Sequence, residues 1–151
     1  MRALIQRVNY SKVIINEKVK SEIGQGLLIL LGVENEDTEE DAAWLCNKVA
    51  GLRIFDDTDG VMNVSVKDTC GDVMVISQFT LHANTKKGTR PSYIRAAKPD
   101  ISVPLYESFV KKMHTELGKE IATGEFGAYM KIDMENDGPV TIMIDSKNKS
   151  L

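Results

Sequence analysis

Short apolar runs separated by turn residues fill the first part of the chain and constrain its fold more than any other feature. Their alternating or continuous apolar pattern predicts strands at residues 2–8, 12–15, 19–23 and 27–33. Asn16 and Glu17 lie between two of these runs and indicate a hairpin turn. Strands joined by such short connections favour a mainly antiparallel sheet.

Two helices are predicted to accompany the strands. A capping segment and an acidic first turn predict a helix at residues 38–50, with Gly51 as its stop. Ser102 and Pro104 mark the start of a second helix, whose apolar residues recur at helical spacing as far as Gly118. The fold class that follows is α+β.

The second half of the chain adds further strands and one long irregular stretch. Strands are predicted at residues 52–55, 73–77, 129–134 and 140–145. Residues 82–101 show no periodic pattern, and irregular stretches of that length are often functional. No repeat or linker interrupts the chain, so residues 1–151 are predicted to form a single domain.

Cysteine, histidine and apolar content exclude several classes of protein. Cys46 and Cys70 lie far apart, no apolar leader opens the chain, and the run 27–31 is far shorter than a membrane span. A reducing, cytoplasmic setting without a membrane role is therefore expected. His82 and His114 are the two histidines, and neither has metal-ligand spacing, so neither a metal nor a cofactor is expected.

Positive charge is concentrated in one segment of an otherwise acidic protein. The formal net charge is −3 and the pI about 5.4. No acidic residue lies between Asp72 and Asp100, where the sequence places Lys86, Lys87, Arg90, Arg95 and Lys98. A basic segment of this kind suits a phosphate-bearing partner, although a solvated loop that keeps the protein soluble has the same composition.

Two polar segments stand out against the apolar strands beside them. The first segment closes the apolar run 73–76 and consists of Ser77, Gln78, Phe79 and Thr80. The second precedes the predicted strand 140–145 and consists of Asn136, Asp137, Gly138 and Pro139. Taken singly, the first segment reads as strand-end capping and the second as a turn. The Gly-Pro step is also stiff, because proline fixes φ, lacks an amide donor and opens the bond to the cis isomer.

Taken together, the two segments resemble the D-aminoacyl-tRNA deacylases, whose signature motifs read SQFTL and NxGPVT. The resemblance extends to residues 1–3, 6–8, 26–33, 52–55, 88, 90–92, 124 and 126–128. It implies a curved or barrel-like sheet with two helices packed against it and a homodimer whose subunits complete each other's sites. It also implies an ester hydrolase that frees tRNA from D-amino acids, with glycine mischarged on tRNA(Ala) as a further candidate substrate.

The resemblance assigns roles to particular residues. Ser77, Gln78, Phe79 and Thr80 become the catalytic segment, in which backbone amides stabilise the oxyanion and the 2′-hydroxyl of the terminal adenosine helps to activate water. Gly138 and Pro139 are implied to enter the partner subunit's pocket and to exclude L side chains, supported by Arg7, with Phe126 and Met130 near that pocket. Lys86, Lys87 and Arg90 are expected to bind the tRNA.

Three other interpretations stay open at the level of sequence. Thr80 could act as the nucleophile of a small-molecule esterase or amidohydrolase that needs no RNA. Thr80 and His82 could belong to a hydroxyl-imidazole relay, since residues two apart share one face of a strand. The basic segment could serve a non-catalytic RNA-binding module, for which Tyr93 is the one aromatic residue between Arg90 and Lys98.

Overall fold

The computed structural model describes residues 1–150, in which eight strands, two α-helices and one 3-10 helix follow one another. The strands are β1 Arg2–Ile15, β2 Lys18–Ile23, β3 Gly26–Gly32, β4 Arg53–Asp56, β5 Met62–Ser65, β6 Asp72–Ser77, β7 Ala122–Thr123 and β8 Lys131–Asp145. The helices are α1 Glu39–Ala50 and α2 Pro99–Leu117, and the 3-10 helix is Phe79–His82.

Strand β1 organises the main sheet, whose order is β2-β1-β3-β6-β7 with β8 paired to β1. Its first half pairs with β3, its second half with β2, and β8 runs antiparallel along it. The β3–β6 and β6–β7 pairs are parallel. The Ser21 hydroxyl on β2 donates to the Thr123 carbonyl on β7 at 2.6 Å, which draws the ends of the sheet together. The predicted α+β fold with a mainly antiparallel, barrel-like sheet is confirmed.

The sheet buries apolar residues on both of its faces. One face packs against the two helices, through side chains such as Leu45, Phe109 and Met113. The other face carries a smaller cluster of Val8, Val13, Ile23, Leu28, Met74 and Ile76, covered partly by Met130 and by residues of β8. Burial of both faces explains why β3 and β6 are almost continuously apolar instead of alternating.

Local sequence signals place the first hairpin and the first helix correctly. Asn16 and Glu17 both have positive φ, 50° and 62°, as a tight two-residue hairpin turn requires. Helix α1 starts after Thr38, whose backbone amide donates to the Asp41 carboxylate at 2.9 Å, and Gly51 is its C-cap. Both features were predicted from turn and capping residues.

Long strands and helix starts were predicted less well. The segments predicted as separate strands at residues 2–8 and 12–15 form the single strand β1, and those at 129–134 and 140–145 form β8. Polar residues interrupt both patterns, and β1 and β8 remain paired on either side of register shifts. The short strands β5 and β7 were missed, because four-residue and two-residue segments hardly show a period.

The second helix begins earlier than predicted. Pro99 occupies its first turn and Lys98 is the N-cap, so Pro104 lies within the helix. Ser102 is not the cap, because its hydroxyl donates back to the Lys98 carbonyl at 2.9 Å from inside the first turns. Proline fits the first helical turn without losing a hydrogen bond, which makes Pro99 the physically better start.

Candidate active site

A cavity of about 380 Å³ opens where β6 ends and the 3-10 helix begins. Its walls include Ser77, Gln78 and Phe79 from the first motif, the first half of α2, the end of β3 and the segment 126–130 between β7 and β8. The cavity therefore joins the first motif to Phe126 and Met130, as the predicted site residues require.

The 3-10 helix exposes unpaired backbone donors beside this cavity. The Gln78 amide completes the pairing with β3 by donating to the Leu31 carbonyl at 2.8 Å, and the Leu81 amide donates to the Gln78 carbonyl at 3.3 Å. Within residues 1–150 the amides of Phe79 and Thr80 have no protein acceptor. The first amides of any helix lack an intrahelical partner, so this pair is free to bind a ligand.

The Gln78 and Thr80 side chains of the first motif are hydrogen-bonded to each other, and Thr80 has no catalytic base as its partner. The Gln78 side-chain amide donates to the Thr80 hydroxyl oxygen. The His82 ring is buried and forms no hydrogen bond with Thr80 or with any other described residue. The prediction that Thr80 and His82 share a strand face is wrong, because both lie in a 3-10 helix, and the relay that depended on it loses its geometry.

Gly32 on β3 lets the 3-10 helix pack directly on the sheet. A Cβ atom at Gly32 would lie 2.9 Å from the Gln78 carbonyl oxygen, 3.0 Å from Cδ2 of His82 and 3.1 Å from Cβ of Leu81. A side chain at this position would displace the helix that carries the free amides.

Tyr106 of α2 lines the cavity and packs against the main core. Its hydroxyl donates to the Val75 carbonyl at 2.7 Å, and its ring meets Phe126 edge to face at 6.0 Å between centroids. Burial raises the pKa of Tyr106 to about 12, so the phenol stays protonated at neutral pH. The helical spacing of Tyr106 does not predict that it lines the cavity, because core and cavity residues share the same face of α2.

The second motif lies apart from this cavity in the same chain. Gly138 and Pro139 are exposed, and the peptide bond between them is cis. They sit in a bulge of β8, because Gln6 pairs with Thr141 whereas Val8 pairs with Asn136. The predicted separate loop between two strands is therefore an interruption within one strand.

The side chains of Arg7 and Asn136 anchor this bulge through hydrogen bonds. The buried Arg7 guanidinium forms an ion pair with the Asp137 carboxylate, with 2.9 Å between Nε and Oδ2. It donates hydrogen bonds from Nε to the Asp137 carbonyl at 3.3 Å and from Nη1 to the Ile54 carbonyl at 2.7 Å. The Asn136 side chain donates to the carbonyls of Arg7 and Val140, each at 3.0 Å. The structure thus brings Arg7 and Gly138 together, as predicted, but brings neither to the cavity of its own chain.

The basic segment begins next to the mouth of the cavity. Lys86, Lys87 and Arg90 are exposed in a loop closed by a bridge between Asn84 and Ser92. The rings of Phe79 and Tyr93 meet edge to face at 5.1 Å, which links this loop to the cavity rim. Arg95, which the sequence grouped with these residues, is instead paired with Glu34 at 2.8 Å.

Residues 1–150 contain neither a disulfide bond nor a three-residue cluster of metal-ligating side chains. Across residues 1–150 no three His, Cys, Asp or Glu side chains converge in a way that could hold a metal ion. Cys46 and Cys70 are unpaired, and burial raises the pKa of the Cys46 thiol to about 12. No helix in the described range is long and apolar enough to cross a membrane.

Comparisons with known proteins identify the family of this chain and agree with its fold. The family model described as D-Tyr-tRNA(Tyr) deacylase matches residues 4–145. A D-aminoacyl-tRNA deacylase of Bacteroides thetaiotaomicron is 60% identical over 149 residues, which cover 99% of each chain.

Two solved structures are also similar. A c-Myc DNA unwinding element binding protein superposes with a TM-score of 0.90 at 34% identity, over 96% of this chain and 98% of that one. A probable eukaryotic D-amino acid tRNA deacylase gives a TM-score of 0.83 over 95% of this chain and 98% of that one, and its 17% identity supports the fold alone. The chain therefore belongs to the D-Tyr-tRNA(Tyr) deacylase family, whose members are ester hydrolases.

Proposed function

We propose that the cavity at the end of β6 binds the 3′ end of a D-aminoacyl-tRNA and that the chain hydrolyses its ester bond to free tRNA and D-amino acid. The observation that carries this proposal is the pair of free amides at Phe79 and Thr80 beside a cavity of about 380 Å³. Two preorganised N–H donors suit the oxyanion that forms when water attacks an ester carbonyl.

The reaction needs little else from the protein. Water adds to the carbonyl carbon, the tetrahedral oxyanion accepts hydrogen bonds from the two amides, and collapse expels the ribose 3′-oxygen, which takes up a proton. The described cavity lining contains no His, Asp, Glu, Lys or Cys side chain that could act as base or nucleophile. The 2′-hydroxyl of the terminal adenosine is therefore proposed to help activate the water, as the family resemblance implies.

Ser77, Gln78 and Thr80 are proposed to support this oxyanion site and not to attack the substrate. Gln78 binds the Thr80 hydroxyl, which ties the two ends of the short turn together. A nucleophilic Thr80 would need a base within hydrogen-bond reach, and the group that holds its hydroxyl is an amide.

Chiral selection is proposed to come from a second copy of the chain. Gly138 and Pro139 are exposed and anchored by Arg7, yet they lie away from the cavity of their own subunit. A homodimer in which each bulge reaches the partner's cavity would place a rigid backbone wall opposite Phe126 and Met130. Such a wall would exclude an L side chain by contact, which is how two enantiomers are best separated.

The tRNA contacts, a glycine substrate and the location of the enzyme complete the proposed function. Lys86, Lys87 and Arg90 are proposed to contact phosphates of the acceptor end, because their loop starts at the rim of the cavity. Glycine on tRNA(Ala) is included as a substrate, since it has no side chain for the wall to exclude. A cytoplasmic location is proposed as well, because a tRNA substrate is available there.

The deciding experiment offers the enzyme D-Tyr-tRNA, L-Tyr-tRNA and D-tyrosine ethyl ester. Release from D-Tyr-tRNA alone supports the proposal. Equal release from the ethyl ester would favour an RNA-independent esterase, and a trapped acyl group on Thr80 would establish a nucleophilic mechanism. Binding of tRNA without any release would favour the RNA-binding module.

The dimeric part of the proposal needs its own test. A mixed dimer can combine one subunit carrying Pro139→Ala with one carrying Thr80→Pro, which removes an oxyanion donor. If each site draws on both subunits, one of the two sites in this dimer keeps both wild-type segments and retains D-selectivity. If instead neither site of the mixed dimer is both active and D-selective, the Gly-Pro segment and the cavity of the same chain form one site.

A further inference from the structure

Three buried side-chain atoms in residues 1–150 lack a hydrogen-bond partner, and all belong to two neighbouring residues. They are Nδ1 and Nε2 of His82 and Oε1 of Glu34. Buried polar atoms in folded proteins are paired in the large majority of cases. Unpaired atoms concentrated at one place therefore call for a reason.

His82 lies directly beneath the proposed oxyanion site. It is the last residue of the 3-10 helix Phe79–His82, and 1% of its surface is exposed. Its ring packs on β3, with Cδ2 3.0 Å from the place of a Cβ on Gly32. The single turn of helix thus has the free amides at its start and a buried imidazole at its end.

The charged groups around His82 are already matched with one another. Arg2 on β1 pairs with Asp145 on β8 at 2.8 Å, and the Met1 amino group pairs with buried Asp37. Glu34, just after β3, uses Oε2 to pair with Arg95 at 2.8 Å. Protonation of His82 would therefore add a positive charge near Arg2 and the Met1 amine, and the Glu34 carboxylate, whose Oε1 is unpaired, is the negative group that favours it.

The electrostatic balance at His82 agrees with this geometry. Burial lowers the pKa of His82 below its usual value, and Arg2 and the Met1 amine lower it further. The Gly32 backbone, which interacts with the ring without completing a hydrogen bond, and the Glu34 carboxylate raise this pKa. The ring is accordingly neutral at neutral pH and becomes charged only in acid.

We propose that His82 is a positioning residue of the deacylase. As a neutral ring it keeps the 3-10 helix packed on Gly32, so that the Phe79 and Thr80 amides hold their positions at the start of that helix, next to the cavity. As an imidazolium it is drawn toward Glu34 Oε1 and moves the helix whose other end carries those amides. The enzyme is thereby inactivated in acid through a group that never touches substrate.

The first test needs no substrate and is independent of the proposed function. Amide chemical shifts of Phe79 and Thr80 are followed by NMR from about pH 8 down to the lowest pH at which the protein stays folded, because the pKa of His82 lies below the usual histidine value. In the wild type the two amides are expected to shift together with the His82 ring. In His82→Gln they are expected to stay constant. The proposal would be overturned if the two amide chemical shifts do not change with pH in the wild type, or if they change equally in His82→Gln.

The second test separates positioning from binding. With D-Tyr-tRNA, kcat of the wild type is expected to fall in acid while KM stays unchanged, and His82→Gln is expected to lose this acid dependence. His82→Leu, which has no polar atom, should lower kcat by about ten-fold at every pH, since small misplacements of catalytic groups have effects of at least that size. A change confined to KM would contradict positioning.

Two further variants complete the design. His114→Gln removes the other histidine, which is exposed on α2, and should keep the wild-type pH profile. Glu34→Gln removes a charge that raises the pKa of His82, so the acid limb should move to lower pH. An unchanged acid limb in Glu34→Gln would remove Glu34 from the mechanism. If the wild type does not hydrolyse D-Tyr-tRNA, the proposed function fails, while the NMR result still decides the role of His82.

Discussion

The Arg7 guanidinium and the Asp137 carboxylate form an ion pair of 2.9 Å that joins the centre of β1 to the bulge of β8. Arg7 is buried, and it also donates to the Ile54 carbonyl on β4 at 2.7 Å. One side chain thus ties the exposed Gly138-Pro139 segment to two strands. This anchoring explains how a segment on the surface can keep a defined shape.

Loss of this anchor should affect chiral selection more than catalysis. Arg7→Gln is expected to lower the free energy of unfolding by about 1.5–3 kcal/mol, the usual range for a hydrogen bond to a charged group. It should also reduce the ratio of D to L deacylation rates, because the bulge loses its support. The measurement pairs urea unfolding with both rates.

Arg53→Gln is the matched control for that variant. Arg53 is an exposed arginine of β4 whose Nε donates to the Asn63 carbonyl at 2.7 Å. It should leave the D/L ratio at the wild-type value. Equal ratios in Arg7→Gln and Arg53→Gln would disconnect the anchor from selectivity.

Thr80→Ala should retain most of the deacylation rate, because the proposed donors are backbone amides. Thr80→Pro removes one of these amides and should reduce kcat by about 100-fold or more, the effect of losing one oxyanion donor. Single-turnover rates on D-Tyr-tRNA compare the two variants directly. Complete inactivity of a folded Thr80→Ala protein would restore the nucleophile hypothesis.

The basic loop should control tRNA affinity without affecting chirality. Replacement of Lys86, Lys87 and Arg90 by alanine should reduce the slope of log Kd against log salt concentration by about 2–3, because up to three phosphate contacts are lost. The D/L ratio should not change. A triple variant of the exposed residues Lys18, Lys20 and Lys48 provides an equal change of charge elsewhere. A similar loss of affinity in both triple variants would mean that net charge alone is responsible.

Gly32→Ala should impair the site through the backbone. The added Cβ would lie 2.9 Å from the Gln78 carbonyl oxygen, so the 3-10 helix must move. Stability is expected to fall by about 1–3 kcal/mol, as for other overpacked positions. Activity should fall further than this loss of stability explains. At Gly24 an added Cβ would meet only the Asp72 side chain at 3.7 Å, so Gly24→Ala tests whether any extra methyl group near the sheet has the same effect.

Tyr106→Phe should lower stability by about 1 kcal/mol, since it removes the hydrogen bond to the Val75 carbonyl. The raised pKa of Tyr106, about 12, means that the folded protein favours the neutral phenol. This stabilisation is complete below the unfolded value near 10 and is lost as the pH rises from there toward 12. The difference in stability between wild type and Tyr106→Phe should therefore narrow above about pH 10. A constant difference up to about pH 12 would show that ionisation of Tyr106 is not linked to unfolding.

Much of the local structure was readable from the sequence because its causes are local. Turn residues at Asn16 and Glu17, the cap at Thr38 and the stop at Gly118 act on their own backbone within a few residues. The motif residues 77–80 could likewise be recognised as the end of a buried strand. Helical spacing placed Tyr106 on the buried stripe of α2, although it could not distinguish core from cavity.

Both helices, most of the strands, the two motifs and the concentration of positive charge at residues 86–98 can be predicted from the amino-acid sequence alone. The tertiary structure sets which of these parts come into contact. It paired β3 in parallel with β6, which carries the 3-10 helix to Gly32, and it kept Gly138 and Pro139 within a bulge of β8 beside Arg7. These outcomes depend on which apolar faces can be buried together across long sequence separations, and a local pattern holds no information about that choice.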